Sequence, residues 1–274
     1  MTGTDNQTPE KNFNRINAHP KDERLLFDPT DHSYRLAGGT GQPLHSVTNL
    51  VSSFFPPFDV KGWASKKAEK ENRTIEDVMA EWERNGLVAR NLGTFMHEQI
   101  EHSFQNRPLL DSCTVNFPDG TSKSISIKSE LKYFDNFIYN VRPKPYRTEW
   151  KIFDEEYLLA GTLDLLALNY NGDFIIYDWK RSRRMGKEYG YEFVPNTHNP
   201  YMKGINGLEH LECTPFTVGC LQQNLYRFIL EHSYGFEINE MNLVMLNNSY
   251  TNYHYVTVPR MDKEVEIMLS AIKS

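Results

Sequence analysis

The stretch LLAGTLDLLALNYNGDFIIYDWK, Leu158 to Lys180, contains two apolar runs joined around Asn171-Gly172. Asn-Gly between apolar runs is a strong hairpin signal. Both faces of each run are apolar, which places the hairpin in mid-sheet with layers on either side. Into that interior the sequence sets Asp164, Asp178 and Lys180. Carboxylates and ammonium groups are costly to bury unless they are paired or bind a metal.

Turn length decides whether these charges meet. A two-residue Asn171-Gly172 turn sets Asp164 opposite Trp179, on the wrong face from Asp178. A three-residue loop, Tyr170-Asn171-Gly172 with a left-handed Gly172, sets Asp164 opposite Asp178. The second loop is common and puts its glycine where one is needed, so it is the expected register. Asp178 and Lys180, two apart, then share that face. Two facing carboxylates beside an ammonium suit a hard cation. A D-x-K pair by itself is equally an ordinary salt bridge at a strand end.

Working outward, Arg147 to Phe153 reads as a preceding strand, and 129–140 as a helix before it. Earlier, Thr74 caps a helical pattern through Val78 and Trp82, and a second pattern runs from Leu87 to Phe104 across an awkward Gly93. Ser33 to Leu36 with the turn Gly38-Gly39-Thr40-Gly41 suggests a small hairpin. After Lys180 comes a connection of about 30 residues, rich in Gly, Pro and Asn, a length usually kept for function. Thr214 then caps a helix with Pro215 first and Gly235 just past its end. Strands Asn242 to Leu246 and Tyr253 to Val258 and a helix from Asp262 to Ile272 follow. The pattern predicts an α/β fold, a central mixed β-sheet flanked by helices on both faces. One domain over 25–274, with its core at about 85–260, follows a flexible polar tail at 1–24.

The chain has 274 residues, 39% hydrophobic, enough for a real core without staples. Its three cysteines, Cys113, Cys213 and Cys220, form no C-x-x-C, against disulfides, thiolate zinc or an iron–sulfur cluster. The polar start lacks a signal-peptide centre, and no apolar run is long enough for a membrane span, so the expected setting is cytoplasmic. The net charge of −6 says little against a nucleic-acid partner, because phosphates respond to the local field of one surface.

Further candidates surround the hairpin. His97 and Glu101, four apart on the second helical pattern, share a face, although a lone helical histidine is more often a surface or core residue. Glu149 on the preceding strand reaches the same site or faces solvent. Gln222 and Tyr226 share a helix face, as a packing pair would. Arg181, Arg183 and Arg184, with Lys187, form a strand-guiding rim or a solvated basic turn. Tyr189, Tyr191, Phe193 and Tyr201 in the long connection stack unpaired bases or pack as a lid.

Taken in order, Gly93-Thr94-x-x-His97, Gly161-Thr162-x-Asp164, Asp178-x-Lys180 and Gln222-x-x-x-Tyr226 resemble the RecB-type exonuclease branch of the PD-(D/E)XK nuclease superfamily. The likeness covers roughly residues 85 to 235, with flanks like those of phage-associated members. It implies a restriction-endonuclease-like core that cuts DNA with Mg2+, Mn2+ substituting. It implies metal binding by His97, Asp164, Asp178 and the Trp179 carbonyl, with Glu149 and Glu101 as additional candidates. Lys180 would orient or deprotonate the attacking water. Gln222 and Tyr226 would position Lys180 or the DNA backbone, and Thr94 would bond a phosphate or simply cap its helix. The DNA is single- or double-stranded, and exonuclease action in replication, repair or recombination is preferred. The rivals are a DNA-binding module with the fold but no cleavage, and a metal-dependent hydrolase of another substrate.

Overall fold

The structure is a computed structural model that describes residues 12–38, 43–190 and 192–273. In chain order, α1 (Phe13–Ile16), β1 (Leu25–Asp28), β2 (Ser33–Leu36) and β3 (Pro43–Ser46) lead into α2 (Val47–Ser53), α3 (Val60–Glu71) and α4 (Ile75–Phe104). Strands β4 (Ser112–Asn116) and β5 (Ser122–Ser126), helix α5 (Lys128–Val141), then β6 (Lys144–Asp154), β7 (Leu159–Leu168) and β8 (Phe174–Lys180) follow. The chain closes with β9 (Gly186–Tyr189), β10 (Glu192–Pro195), α6 (Pro215–Tyr234), β11 (Ile238–Met245), β12 (His254–Thr257) and α7 (Asp262–Lys273).

Eight strands form the central sheet in the order β1-β2-β3-β7-β8-β11-β12, with β6 also on β7. It is mixed: β3 joins β7 and β11 joins β8 in parallel, and the other pairs are antiparallel. One face buries Ile176 with Val47, Leu221, Leu225, Ile229 and Met268, from α2, α6 and α7. The other buries Tyr177 and Trp179 with Leu92, Met96, Ile100, Phe134 and Phe137, from α4 and α5. The expected α/β layering is therefore present, with the Leu158–Lys180 hairpin covered on both sides. Among the described residues, no helix is long and apolar enough to cross a membrane.

The hairpin takes the longer loop. Leu165 pairs Tyr177 and Leu168 pairs Phe174, Asn169 N donates to Asp173 O (3.0 Å), and Gly172 has φ +90°. Continuing that register sets Asp164 opposite Asp178. The β7 edge facing β8 is shared: β3 pairs Leu159 and Ala160, β8 takes over from the Asp164 end, and Gly161 to Leu163 lie in the notch between them.

Three regions differ from the sequence reading. The two patterns from Thr74 to Phe104 are one 30-residue helix running through Gly86 and Gly93. Its first half is supported by α3, through a small separate core of Ala64, Ala68 and Val78. The long connection carries the β9–β10 hairpin, anchored by Glu188 to Thr251 and His254. Residues 12–24, read as part of a flexible tail, are laced to β6. Asn14 receives Thr148 N (3.1 Å) and donates to Thr148 O (2.6 Å), Asn17 donates to Tyr146 O (2.8 Å), and Asp22 pairs with Arg147 (3.0 Å). Polar side chains here satisfy an otherwise bare sheet edge, a role that apolar periodicity does not reveal. Residues 1–11, Gly39, Thr40, Gly41 and Tyr191 lie outside the described residues.

Candidate metal centre

The notch in β7 is lined by three adjacent strands and by α4 and α6. Glu149 on β6 stands opposite Asp164, between the Thr148–Leu165 and Trp150–Leu163 pairs. Its backbone is left-handed, φ +43°. A non-glycine residue held there in mid-strand costs about 1–3 kcal/mol and is characteristic of functional sites. Above it, α4 lowers His97 toward the notch. His97 Nδ1 is 3.5 Å from Asp164 Oδ1 and 3.6 Å from Glu149 Oε1, and Nε2 is 3.0 Å from the Trp179 carbonyl. One donor atom from each of His97, Glu149 and Asp164 lies within 4.8 Å of the others.

These three donors fit a divalent cation. Two carboxylates supply hard oxygens, and the imidazole adds affinity for Mn2+ over Mg2+. The Trp179 carbonyl fixes the His97 ring through its second nitrogen, the usual support of a ligating histidine. The electrostatics have the same sense. Burial opposes charge on His97, yet Asp164 and Glu149 hold its pKa well above the ordinary value. Burial pushes the Glu149 carboxyl up to about 7 against the pull of His97. Asp164 stays below the usual carboxylate range despite burial, held by His97, Lys180 and the Trp179 N–H, which it accepts at 2.8 Å.

Asp178 and Lys180 form the second half of the site. Lys180 Nζ is 2.6 Å from Asp178 Oδ2 and donates to Gln222 Oε1 at 2.9 Å; Gln222 Nε2 donates to Tyr226 Oη at 2.8 Å. Burial raises the Asp178 carboxyl to about 6 against the Lys180 ammonium. Lys180, although buried, is kept cationic by Asp178 and Asp164. The fully buried Gln223 donates to Asp178 Oδ1 at 2.9 Å. Sequence reasoning did not single out Gln223; its signal was the run Gln222-Gln223-Asn224 inside an otherwise apolar helix.

Of the other candidates, Glu101 bonds Gln105 (2.8 Å) and lies outside the His97–Glu149–Asp164 group. Thr94 is exposed in the interior of α4, so it neither caps a helix nor offers a free helix-terminal N–H to a phosphate. Arg181 is not on a basic rim: it is turned inward onto Glu130, 2.8 Å away. Arg183, Arg184 and Lys187 are exposed. In the long connection, Phe193 stacks on His254 (4.7 Å), whereas Tyr189 and Tyr201 are exposed.

Gly161 is needed for a close approach. A Cβ on it would lie 2.5 Å from Tyr226 Cε1. Gly161→Ala is therefore expected to displace the ring that carries the Gln222 contact, at about 1–3 kcal/mol of overpacking. Urea unfolding checks it, and a wild-type midpoint would mean that the ring yields freely.

No protein-family model matches the chain, and no curated protein matches it. Among solved structures, the protein SSO0001 is similar at TM-score 0.31 and 14% identity, over 82% of this chain and 72% of that one. An alkaline exonuclease, LHK-Exo, from Laribacter hongkongensis is similar at TM-score 0.31 and 13% identity, over 53% of this chain and 63% of its own. That second match spans less than two thirds of the exonuclease.

Proposed function

We propose that the protein is a metal-dependent deoxyribonuclease of the PD-(D/E)XK type that hydrolyses DNA phosphodiester bonds. The observation that carries the reading is the His97–Glu149–Asp164 donor group set beside a cationic Lys180 in one notch. His97, Asp164 and Glu149 would hold the cation, with Asp178 and the Trp179 carbonyl at its margin. A divalent ion bound there supplies Lewis acidity toward a phosphate and lowers the pKa of a water. Lys180 contributes a fixed positive charge where negative charge grows on the phosphorane. Gln222 and Tyr226 hold the ammonium in place, and Gln223 and Lys180 orient Asp178. Action from DNA ends, in replication, repair or recombination, follows the RecB-type resemblance of the motif order.

The test is incubation with end-labelled single- and double-stranded DNA and a closed circle, in Mg2+, Mn2+ or EDTA. Metal-dependent cleavage with the circle spared is expected. Intact substrates that nevertheless bind would establish the non-cleaving module instead.

Metal binding has its own signature. A ligand at a hundredfold its Kd stabilises by about 2.7 kcal/mol, so Mn2+ should raise the melting temperature, and Asp164→Asn should abolish that rise. The rise should shrink between pH 8 and pH 6. Glu149 titrates at about 7, and below that pH the cation must displace its proton. Calorimetry at both pH values decides it, and an equal rise at each would remove Glu149 from the ligand set.

A further inference from the structure

We propose a second nucleic-acid surface outside the metal centre, a track for single-stranded nucleic acid formed by α3 and residues 199–203; it rests on the nuclease reading above. Trp63, Lys66 and Lys70 occupy one face of α3 at i, i+3 and i+7. The opposite face carries Ala64 and Ala68, packed with Val78 of α4. Tyr201, 77% exposed, stands edge-on to Trp63 with ring centroids 5.1 Å apart, and Lys66 Nζ lies 4.7 Å from the Trp63 ring. An exposed ring beside a half-buried one, bordered by ammonium groups, offers stacking to bases and charge to phosphates.

The charges are available. Lys67, on the side of α3 toward α4, is tied to Glu81 at 2.9 Å. Lys66, Lys70, Lys203, Arg183 and Arg184 are exposed and form no salt bridge among the described residues. The neighbouring carboxylate Glu212 is already held by His198 (2.9 Å) and the Asn199 N–H. On a chain of net charge −6, unpaired cations collected along one path select a polyanion.

The path leads to the notch. Thr48, at the start of α2, is 3.5 Å from Gln222, and Phe54, just past its end, accepts Ile205 N at 2.9 Å. Seven residues of helix span about 10 Å, so the rings are a few nucleotides from Lys180. On the other flank, Arg184 acts on Cys213, whose N–H is bonded to the Met202 carbonyl beside Tyr201 (2.7 Å). Duplex DNA hides its base faces, so flat rings at this position favour unpaired strands.

Fluorescence anisotropy in EDTA separates binding from cleavage, using an oligothymidylate roughly twenty nucleotides long and a matched duplex. Tyr201→Ala is expected to weaken oligothymidylate binding by about fivefold or more, with the duplex nearly unaffected. The exposed pair Lys66→Ser/Lys70→Ser should weaken binding and lower the salt slope by about two. Wild-type binding of the oligothymidylate by all variants overturns the track and leaves the nuclease reading standing. A wild-type protein that neither binds nor cuts any DNA overturns both.

Discussion

Lys180→Ala is expected to lower metal-dependent cleavage by about 10²–10³ in kcat, the effect of removing one preorganised charge from a transition state. The structure selects this role over that of a general base. A base must be neutral at working pH, and Lys180 is held in its charged form by Asp178 at 2.6 Å and by Asp164. Its ammonium is aimed by three polar groups in series: Asp178 fixed by Gln223, and Gln222 fixed by Tyr226. Lys180→Arg keeps the charge but not the compact tetrahedral donor, so partial activity is expected from it. The measurement is single-turnover cleavage of labelled linear DNA in Mn2+, with circular dichroism to verify folding. Activity within tenfold of wild type in a folded Lys180→Ala protein would rule the role out.

What could be read in advance divides along physical lines. Apolar periodicity and the turn chemistry of Asn171-Gly172 specify the β7–β8 register, because a one-residue slip would bury the wrong face. The placement of Asp164 opposite Asp178 was therefore accessible from sequence. The ends of α6 were too, because Thr214, Pro215 and Gly235 each act on their own backbone. Glu149 was a harder case. Its strand was evident, but the left-handed backbone that accompanies its place beside His97 has no sequence signature. Gln223 escaped because a helix turns about 100° per residue. Which of two adjacent glutamines meets Asp178 depends on how α6 is rotated against the sheet, and tertiary packing decides that. Arg181 illustrates the limit of a charge run. Arg181, Arg183 and Arg184 look alike in sequence, and what separates Arg181 is a partner on α5 that no local pattern announces.

That partner carries the second large effect. Glu130 is fully buried, and the Arg181 side chain opposite it is 14% exposed. Removing one member of a buried ion pair strands the other charge in the interior, which costs about 3–5 kcal/mol. Arg181→Met is therefore expected to shift the urea midpoint down by more than about 1 M, given the usual dependence of 1–3 kcal/mol per molar. Arg181→Met/Glu130→Leu should recover most of that loss, because apolar pairs of similar volume replace buried ion pairs at little cost. The double variant also tests the alternative of a DNA-contacting arginine. A phosphate contact would leave stability unchanged in the single variant and lower the salt dependence of DNA binding by about one. A structural pair gives the opposite outcome: lost stability, restored by the second substitution, with the salt dependence intact. Because Arg181 directly follows Lys180 and its carbonyl accepts Asn247 Nδ2 at 2.5 Å, loosening this pair frees the chain at the exit of β8. The single variant should then lose cleavage at temperatures below its own unfolding transition, whereas the double variant should not.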